Sequence, residues 1–425
     1  MTQRQVRKTA VIGATLIDGS GRPPVTDSAV VVDGERIDAV SRAETLELDS
    51  STDVIDGRGR FLLPGLIDSH VHVSHSGFVP KPACPPESAY AALVTANNLR
   101  SALQSGITTM RDVNSPLGLV MRTAVQRRTI IGPRLFSAGT GICMTGGHGS
   151  FGGTPKHEVD GPWAVRKAVR QEARAGVDLI KLTTSHRSDL PEFTQEELNA
   201  GVEEAHRLGK KVAIHAASWI GVRMAAVAGV DTIEHGSFVD ERSADLMAEK
   251  DIVLIPTIWV KNFLAHTLKE EIEDPEKTSK RTPDQHEDLL ARFQWFDRCA
   301  RQLPDTLRLV RSKGIRIAAG TDNVFAVNPF AILHEELRWL AELGLRNMEA
   351  ITAATRAGAE VLGKADEFGT VSEGKFADLI MVERDPLEDI MALRDVVWVM
   401  KEGEIIPLHP EWRRQPIDEP LSLEA

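Results

Sequence analysis

The sequence predicts an α/β protein: a (β/α)8, TIM-type barrel joined to a small β-sandwich domain that both chain ends build together. Three observations carry this expectation. The chain has 425 residues, more than an average domain, whereas α/β barrels run to about 250 residues or more as one unit. Between residues 65 and 365 short apolar runs alternate with longer amphipathic stretches, the pattern of strands and helices in a parallel arrangement. The two ends share a different texture, of short β-like runs punctuated by turn residues. The expected divisions are 1–62, 63–365 and 366–425, the first and last forming one domain.

Taken in order, residues 9–18 and 29–37 read as β runs separated by a turn-rich 19–24, and Asp33-Gly34 is a hairpin signal inside the second run. The same texture returns at 369–371, 378–382 and 396–403. One β domain made from both ends brings the termini together. In the middle, eight candidate strands stand at 66–73, 107–113, 134–138, 179–184, 212–216, 232–235, 252–258 and 315–320. In a (β/α)8 barrel the chemistry sits where the strands run out.

Composition narrows the function. The hydrophobic fraction of 42% and charged fraction of 26% are those of a globular protein. A net charge of −11 argues against nucleic acid, and no apolar run is long enough to span a bilayer. Cys84, Cys143 and Cys299 are widely spaced and form no C-x-x-C, so neither a disulfide framework nor a thiolate metal site is expected. The expectation is a cytoplasmic enzyme with a small-molecule substrate, bound to neither nucleic acid nor membrane.

The stretch Pro64-Gly65-Leu66-Ile67-Asp68-Ser69-His70-Val71-His72 places two histidines at alternate positions of the first middle strand. Alternate side chains share a face, so His70 and His72 project together and can grip one metal ion. An isolated H-x-H is as often a pair of ordinary histidines. Lys181, His215, His235 and Asp322 then fall at the ends of the fourth, fifth, sixth and eighth candidate strands. Singly, such residues are caps or core histidines; six together on five strands of one barrel point to a metal site.

With these residues in hand, the chain resembles the amidohydrolase superfamily of metal-dependent hydrolases, and within it the imidazolonepropionase-like group that includes prolidase-type Xaa-Pro and Xaa-Arg dipeptidases. Thr108-Thr109-Met110-Arg111-Asp112, Gly132-Pro133-Arg134, Thr145-Gly146-Gly147-His148, Ile180-Lys181, Ile233-Glu234-His235-Gly236 and Gly320-Thr321-Asp322 carry the likeness. The resemblance implies two divalent ions, zinc by preference. His70, His72 and Asp322 would hold one, His215 and His235 the other, with Lys181 carbamylated by CO2 as the bridge. A lysine ammonium would otherwise repel the metal; the alternative is an ordinary snorkelling side chain. The implied reaction is amide (C–N) hydrolysis of a peptide-like or hydrophobic N-acyl compound by metal-activated hydroxide. Asp322 would act as general base and then acid, and His148 would bind substrate or polarise its carbonyl.

Two departures from the family pattern matter. Mononuclear deaminases, the alternative together with a cyclic-amide hydrolase of imidazolonepropionase type, typically place a catalytic Glu soon after the fifth-strand histidine, where this chain has Ala216-Ala217-Ser218. Dipeptidases often place there a Tyr that holds the substrate carboxylate; Ala217 stands instead, and the sole tyrosine is Tyr90. Trp219, Phe238, Trp259 and Phe325 follow strands five to eight and are expected either to line an apolar substrate pocket or to pack the loops. His75 and His186 are expected to be outer or bystander residues, and Arg111-Asp112 a buried ion pair. The charged, helical 261–306 stretch is a lid or a subunit contact, and a homo-oligomer is expected.

Overall fold

The computed structural model describes residues 8–47, 49–74, 89–148, 156–185, 189–323 and 332–409. Cys84, His75, His186 and Phe325 lie outside them. Strands β1 (Thr9–Leu16), β2 (Val25–Asp33), β3 (Arg36–Arg42), β4 (Asp53–Asp56) and β5 (Phe61–Pro64) open the chain. Near its other end stand β15 (Leu379–Val382), β16 (Val396–Lys401) and β17 (Glu404–Ile406), the numbers β6 to β14 belonging to the strands between. These eight strands form one sheet, ordered β17-β16-β15-β5-β1-β2-β3 with β4 beside β1. Strand β5 joins the two chain ends, pairing parallel to β1 and antiparallel to β15 with Leu63 opposite Ile380. Val11, Leu16, Val30, Leu62, Leu379 and Met400 fill one shared core, which is what alternating apolar positions on paired strands produce.

The middle of the chain alternates strands and helices. Strand β6 (Leu66–Val71) precedes α1 (Ala89–Gln104), β7 (Ile107–Asp112), α2 (Gly118–Gln126) and β8 (Arg134–Ser137). Then come β9 (Gly141–Cys143), β10 (Lys156–Glu158), α3 (Pro162–Ala175), β11 (Leu179–Thr183), α4 (Gln195–Arg207) and β12 (Lys211–Ala216). They are followed by α5 (Trp219–Ala228), β13 (Thr232–His235), α6 (Glu241–Glu249) and β14 (Val253–Ile255). Helices α7 (Ile258–Glu273), α8 (Pro275–Ser279), α9 (Pro283–Ser312), α10 (Leu333–Glu342), α11 (Asn347–Ala353) and α12 (Arg356–Val361) complete it. Several helix starts are legible in the chain: Thr194 and Glu197 form a capping box on α4, and Pro162 opens α3.

All pairings among β6 to β14 are parallel, in a three-stranded sheet β6-β7-β8 and a six-stranded sheet β10-β9-β11-β12-β13-β14. The expected third strand, 134–138, is β8, and a left-handed Gly139 at φ 62° separates it from the short β9 that follows. The expected seventh strand is three residues long and ends at Ile255, since Thr257 is left-handed at φ 48° and α7 begins at Ile258. The expected eighth strand is not a named strand but an extended segment hydrogen-bonded on both sides. Ala318 N–H donates to Leu254 O and Leu254 N–H to Arg316 O, both at 3.0 Å. Opposite, Ser69 N–H donates to Ala319 O at 2.9 Å and Asp322 N–H to His70 O at 2.8 Å. The segment passes so close to β6 that a Cβ on Gly320 would lie 2.7 Å from His70 Cβ. Among the described residues no helix is long and apolar enough to cross a membrane.

The 261–306 stretch is α7, α8 and most of α9. Helices α7 and α9 pack together through Val260, Leu264, Leu268 and Leu289. Helix α9 then folds back over the ends of β12 and β13: Trp295 and Cys299 are buried against Ala217 and Phe238, and Thr306 Oγ1 donates to Ser237 O at 2.7 Å. The insertion therefore covers the strand ends of its own chain.

Candidate metal centre

His70 and Asp322 come together because β6 and the extended 315–323 segment are neighbours. Asp322 Oδ1 stands 3.4 Å from His70 Nε2 and 3.3 Å from His72 Nε2. One potential ligand atom from each residue lies within 4.8 Å of the others, spacing that suits a single cation.

The tautomers follow from what holds each ring. His70 Nδ1 meets the Glu234 carboxylate at 2.5 Å and His72 Nδ1 meets Asn114 O at 2.9 Å. Both partners are acceptors, so each Nδ1–H donates to its partner and each Nε2 is the atom turned toward Asp322. His70 Nε2 is buried and makes no hydrogen bond among the described residues. A buried acceptor without a donor is costly unless something electrophilic takes it, so the donor set fits a divalent ion.

Glu234 is itself braced. Arg111 Nη1 donates to its Oε1 at 3.1 Å and to Ser69 O at 2.9 Å, and Arg111 Nη2 donates to Thr232 Oγ1 at 2.7 Å. Burial pushes the Glu234 carboxyl up, but Arg111 and His70 more than reverse this and hold it well below the ordinary range. The expected Arg111–Asp112 ion pair is thus corrected: adjacent strand residues point to opposite faces, and Asp112 accepts instead from Ser115 and Ser137. Burial lifts the Asp112 carboxyl to about 6.

A row of rings continues from His70. Its centroid is 5.2 Å from that of His235, His235 is 4.4 Å from His215, and His215 stacks on His148 at 3.9 Å. His235 directly follows Glu234, yet both reach the site. His235 adopts φ 71°, which breaks the two-residue alternation and re-aims the ring. Asp322 at φ 50° and Thr257 at φ 48° are left-handed too, and Thr257 Oγ1 lies 2.7 Å from His235 Nδ1. Burial first, then the charges of neighbouring histidines and of Lys181 and Lys261, hold His215 well below the ordinary histidine value; burial and Lys261 do the same for His235. Both imidazoles are thus kept neutral, the form in which a histidine nitrogen can coordinate a cation.

Lys181 is 3% exposed on β11, where it pairs with Ala213 while Thr183 pairs with His215. It starts one same-face step below the histidine level, a gap that a long side chain spans. The Asp322 carboxyl is pushed up by burial, but His70 and His72 outweigh this and leave it well below the ordinary range.

The aromatic residues divide. Phe238 lies beside Trp295, with centroids 6.1 Å apart, and under the Arg298 guanidinium. Trp219, the first residue of α5, is 41% exposed beneath Arg223. Trp259 stacks on Phe263 at 4.9 Å in the α7–α9 cluster, and its backbone N–H donates to Glu336. Sequence reasoning passed over Glu234, Thr257 and Lys261. Glu234 had a signal, a carboxylate inside an otherwise apolar strand; Thr257 and Lys261 had none without the path of α7.

A model described as "Amidohydrolase family" matches residues 61–406. An ochratoxinase of Aspergillus niger is 30% identical, across 94% of this chain and 87% of that protein. An imidazolonepropionase of Caldanaerobacter subterraneus subsp. tengcongensis is 25% identical, across 79% and 80% respectively. A solved Xaa-Pro dipeptidase with bound methionine in its active site is similar at a TM-score of 0.82 and 32% identity, covering 94% of this chain and 99% of that one. The H-x-H, the left-handed Asp322 and the braced Glu234 are therefore features of a chain that belongs to the amidohydrolase family.

Proposed function

We propose that this protein is a metal-dependent hydrolase cleaving the C–N bond of a peptide-like or hydrophobic N-acyl small molecule. The parallel strands close as a (β/α)8 barrel in this reading, with residues 1–62 and 366–425 as the companion domain. The observation that carries it is the convergence of His70, His72 and Asp322, continued through the ring row to His215 and His235 beside buried Lys181.

His70, His72 and Asp322 would hold one ion, and His215 and His235 a second. Lys181 would join this set once its neutral amine has added to CO2, forming an N–C bond and losing a proton to leave a carbamate anion. Divalent ions held there would supply Lewis acidity to a scissile carbonyl and acidify water. The Asp322 carboxylate, ionised at neutral pH, accepts the proton of the attacking water. It delivers that proton to the departing nitrogen as the C–N bond breaks. His148, stacked on His215, faces the acyl side.

Two of the similar proteins are an ochratoxinase and a Xaa-Pro dipeptidase, which supports an amide substrate over the deaminase alternative. The buried Ala217 agrees, since no carboxylate follows His215 closely. The imidazolonepropionase similarity keeps cyclic-amide opening as the second reading. The test is metal analysis plus a screen over Xaa-Pro dipeptides, N-acyl amino acids, aryl amides, carbamates and cyclic imides. About two ions per chain with amide cleavage is expected. One ion with full activity, or ring opening or ammonia release alone, would replace the proposal.

A further inference from the structure

Helix α7 does not cap its own start. Thr257 occupies the N-cap position, where a threonine hydroxyl ordinarily accepts from the backbone N–H groups of the first turn. Thr194 on α4 and Thr282 on α9 do this. Thr257 instead is left-handed, at φ 48° and ψ 54°, and its Oγ1 lies 2.7 Å from His235 Nδ1. A β-branched residue rarely adopts that backbone conformation and keeps it only where its surroundings impose it.

The imposing group comes from α10. Glu336 is fully buried, and it reaches the start of α7, where its Oε1 accepts from Ile258 N–H at 3.0 Å and its Oε2 from Trp259 N–H at 2.7 Å. These are the first two N–H groups of the helix, so a side chain 78 residues beyond Ile258 takes the place of the threonine cap. The arrangement has a cost: burial pushes the Glu336 carboxyl up to about 8, with the two amide donors pulling it down. The turn held this way carries two contacts with the centre, Thr257 to His235 and Lys261 to Asp322, whose Nζ and Oδ2 pair at 3.9 Å. A helix start capped by its own threonine would need no carboxyl at 336, but it would take the hydroxyl away from His235.

We propose that Glu336 is a positioning residue: by capping α7 from outside the helix, it releases the Thr257 hydroxyl to accept from His235 Nδ1–H and so fixes the tautomer and direction of that ring. The ring contact stands on its own geometry. Its consequence for metal rests on the two-ion reading, in which the other nitrogen of His235 is a ligand and its orienting partner tunes affinity.

The test uses the full-length protein. In the metal-free form, nitrogen NMR of isotope-labelled histidine reads which nitrogen of His235 carries the proton, its signals being identified by their loss in His235→Asn. The wild type is expected to show the Nδ1–H form. Thr257→Val, which removes the hydroxyl, and Glu336→Leu, which removes both acceptors, should each shift His235 toward a mixture of the two tautomers. Glu336→Gln keeps one acceptor and should fall between; it carries the test if the leucine variant does not fold. In the metal-loaded form the Thr257→Val and Glu336→Leu variants should bind the second ion about tenfold more weakly, read by competition with a chelating dye. Combined, they should lose no more than about twofold beyond Thr257→Val alone, because both act on one ring. Leu289→Ala, which loosens the packing of α7 on α9, should lower Tm without moving either readout. A wild-type His235 protonated on Nε2, a tautomer unmoved by both Glu336 variants or moved equally by Leu289→Ala, or affinity losses that multiply in the double variant would each overturn the proposal. A tautomer that shifts in the Glu336 variants of a protein binding only one ion sinks the two-ion reading and leaves the positioning role standing.

Discussion

The two halves of the centre are built on different principles. On the His70, His72 and Asp322 side, each histidine is pinned through Nδ1 by an acceptor that cannot donate, and the acceptor Glu234 is fixed in turn by Arg111. Proton position and ring direction are settled before any ligand arrives. On the His148, His215 and His235 side the rings hold one another by stacking, a hydroxyl is the partner of His235, and burial together with lysine charge keeps the imidazoles neutral. The first half is pre-organised by hydrogen bonds, the second by electrostatics. In the proposed two-ion reading, the second is complete only once Lys181 has become an anion.

The largest expected effect tests that incompleteness. Lys181→Ala should lower hydrolysis beyond the roughly 100-fold ceiling typical of supporting partners and reduce the metal content toward one ion per chain. Short carboxylates added in solution should restore part of the activity, as measured by steady-state rates. An unimpaired Lys181→Ala would erase the distinction between the halves.

An intermediate effect is expected from Glu234→Gln, which leaves His70 in place but removes the charge behind it. Metal affinity of the first half should fall about 10- to 100-fold, read by competition with a chelating dye. Buried Arg111 loses its charged partner as well, so thermal stability should drop in the same variant. If affinity is unchanged while stability falls, Glu234 is only a structural counter-ion.

The smallest expected effect concerns protons. His215 is held well below its reference value of 6.5 in the folded chain, so below about that pH the unfolded chain binds a proton that the folded chain refuses. Its contribution to stability is present above that pH and is lost as the pH falls. Buried carboxyls act in the opposite sense, burial raising Asp68 to about 6 and Glu336 to about 8. Comparing the metal-free protein with its His215→Asn variant cancels these carboxyl contributions. The wild type's advantage in Tm should shrink by about 1–2 °C per pH unit below pH 6.5. A constant difference would mean that His215 is not held neutral.

Much of this was legible in the chain, for identifiable reasons. Period-two and helical apolar patterns placed seven of the eight middle strands within a few residues, because those patterns report burial directly. The H-x-H could be read because alternation puts both rings on one face. What could not be read depends on departures from alternation. The reach of both Glu234 and His235 into the centre follows from a left-handed His235, and the early end of β14 from a left-handed Thr257; neither residue type announces positive φ. Gly139, by contrast, turns the chain just past the third strand, where a glycine permits it. Lys261 stands in the apolar first half of α7, and its burial shows only once the path of that helix is known. The Arg111–Asp112 pairing failed because sequence neighbours on a strand face apart.

Strand β5 has a consequence for how the chain is made. Its partner β1 leaves the ribosome first, but its other partner, β15, is synthesised 315 residues later, from Pro64 to Leu379. At about 5–20 residues per second, that edge waits roughly 16–63 s. For that interval the nascent chain presents Leu62 and Leu63 on an unpaired strand, the kind of edge that recruits another copy. The catalytic middle has meanwhile been synthesised in full, so its folding yield in the cell depends on how well that early edge is shielded.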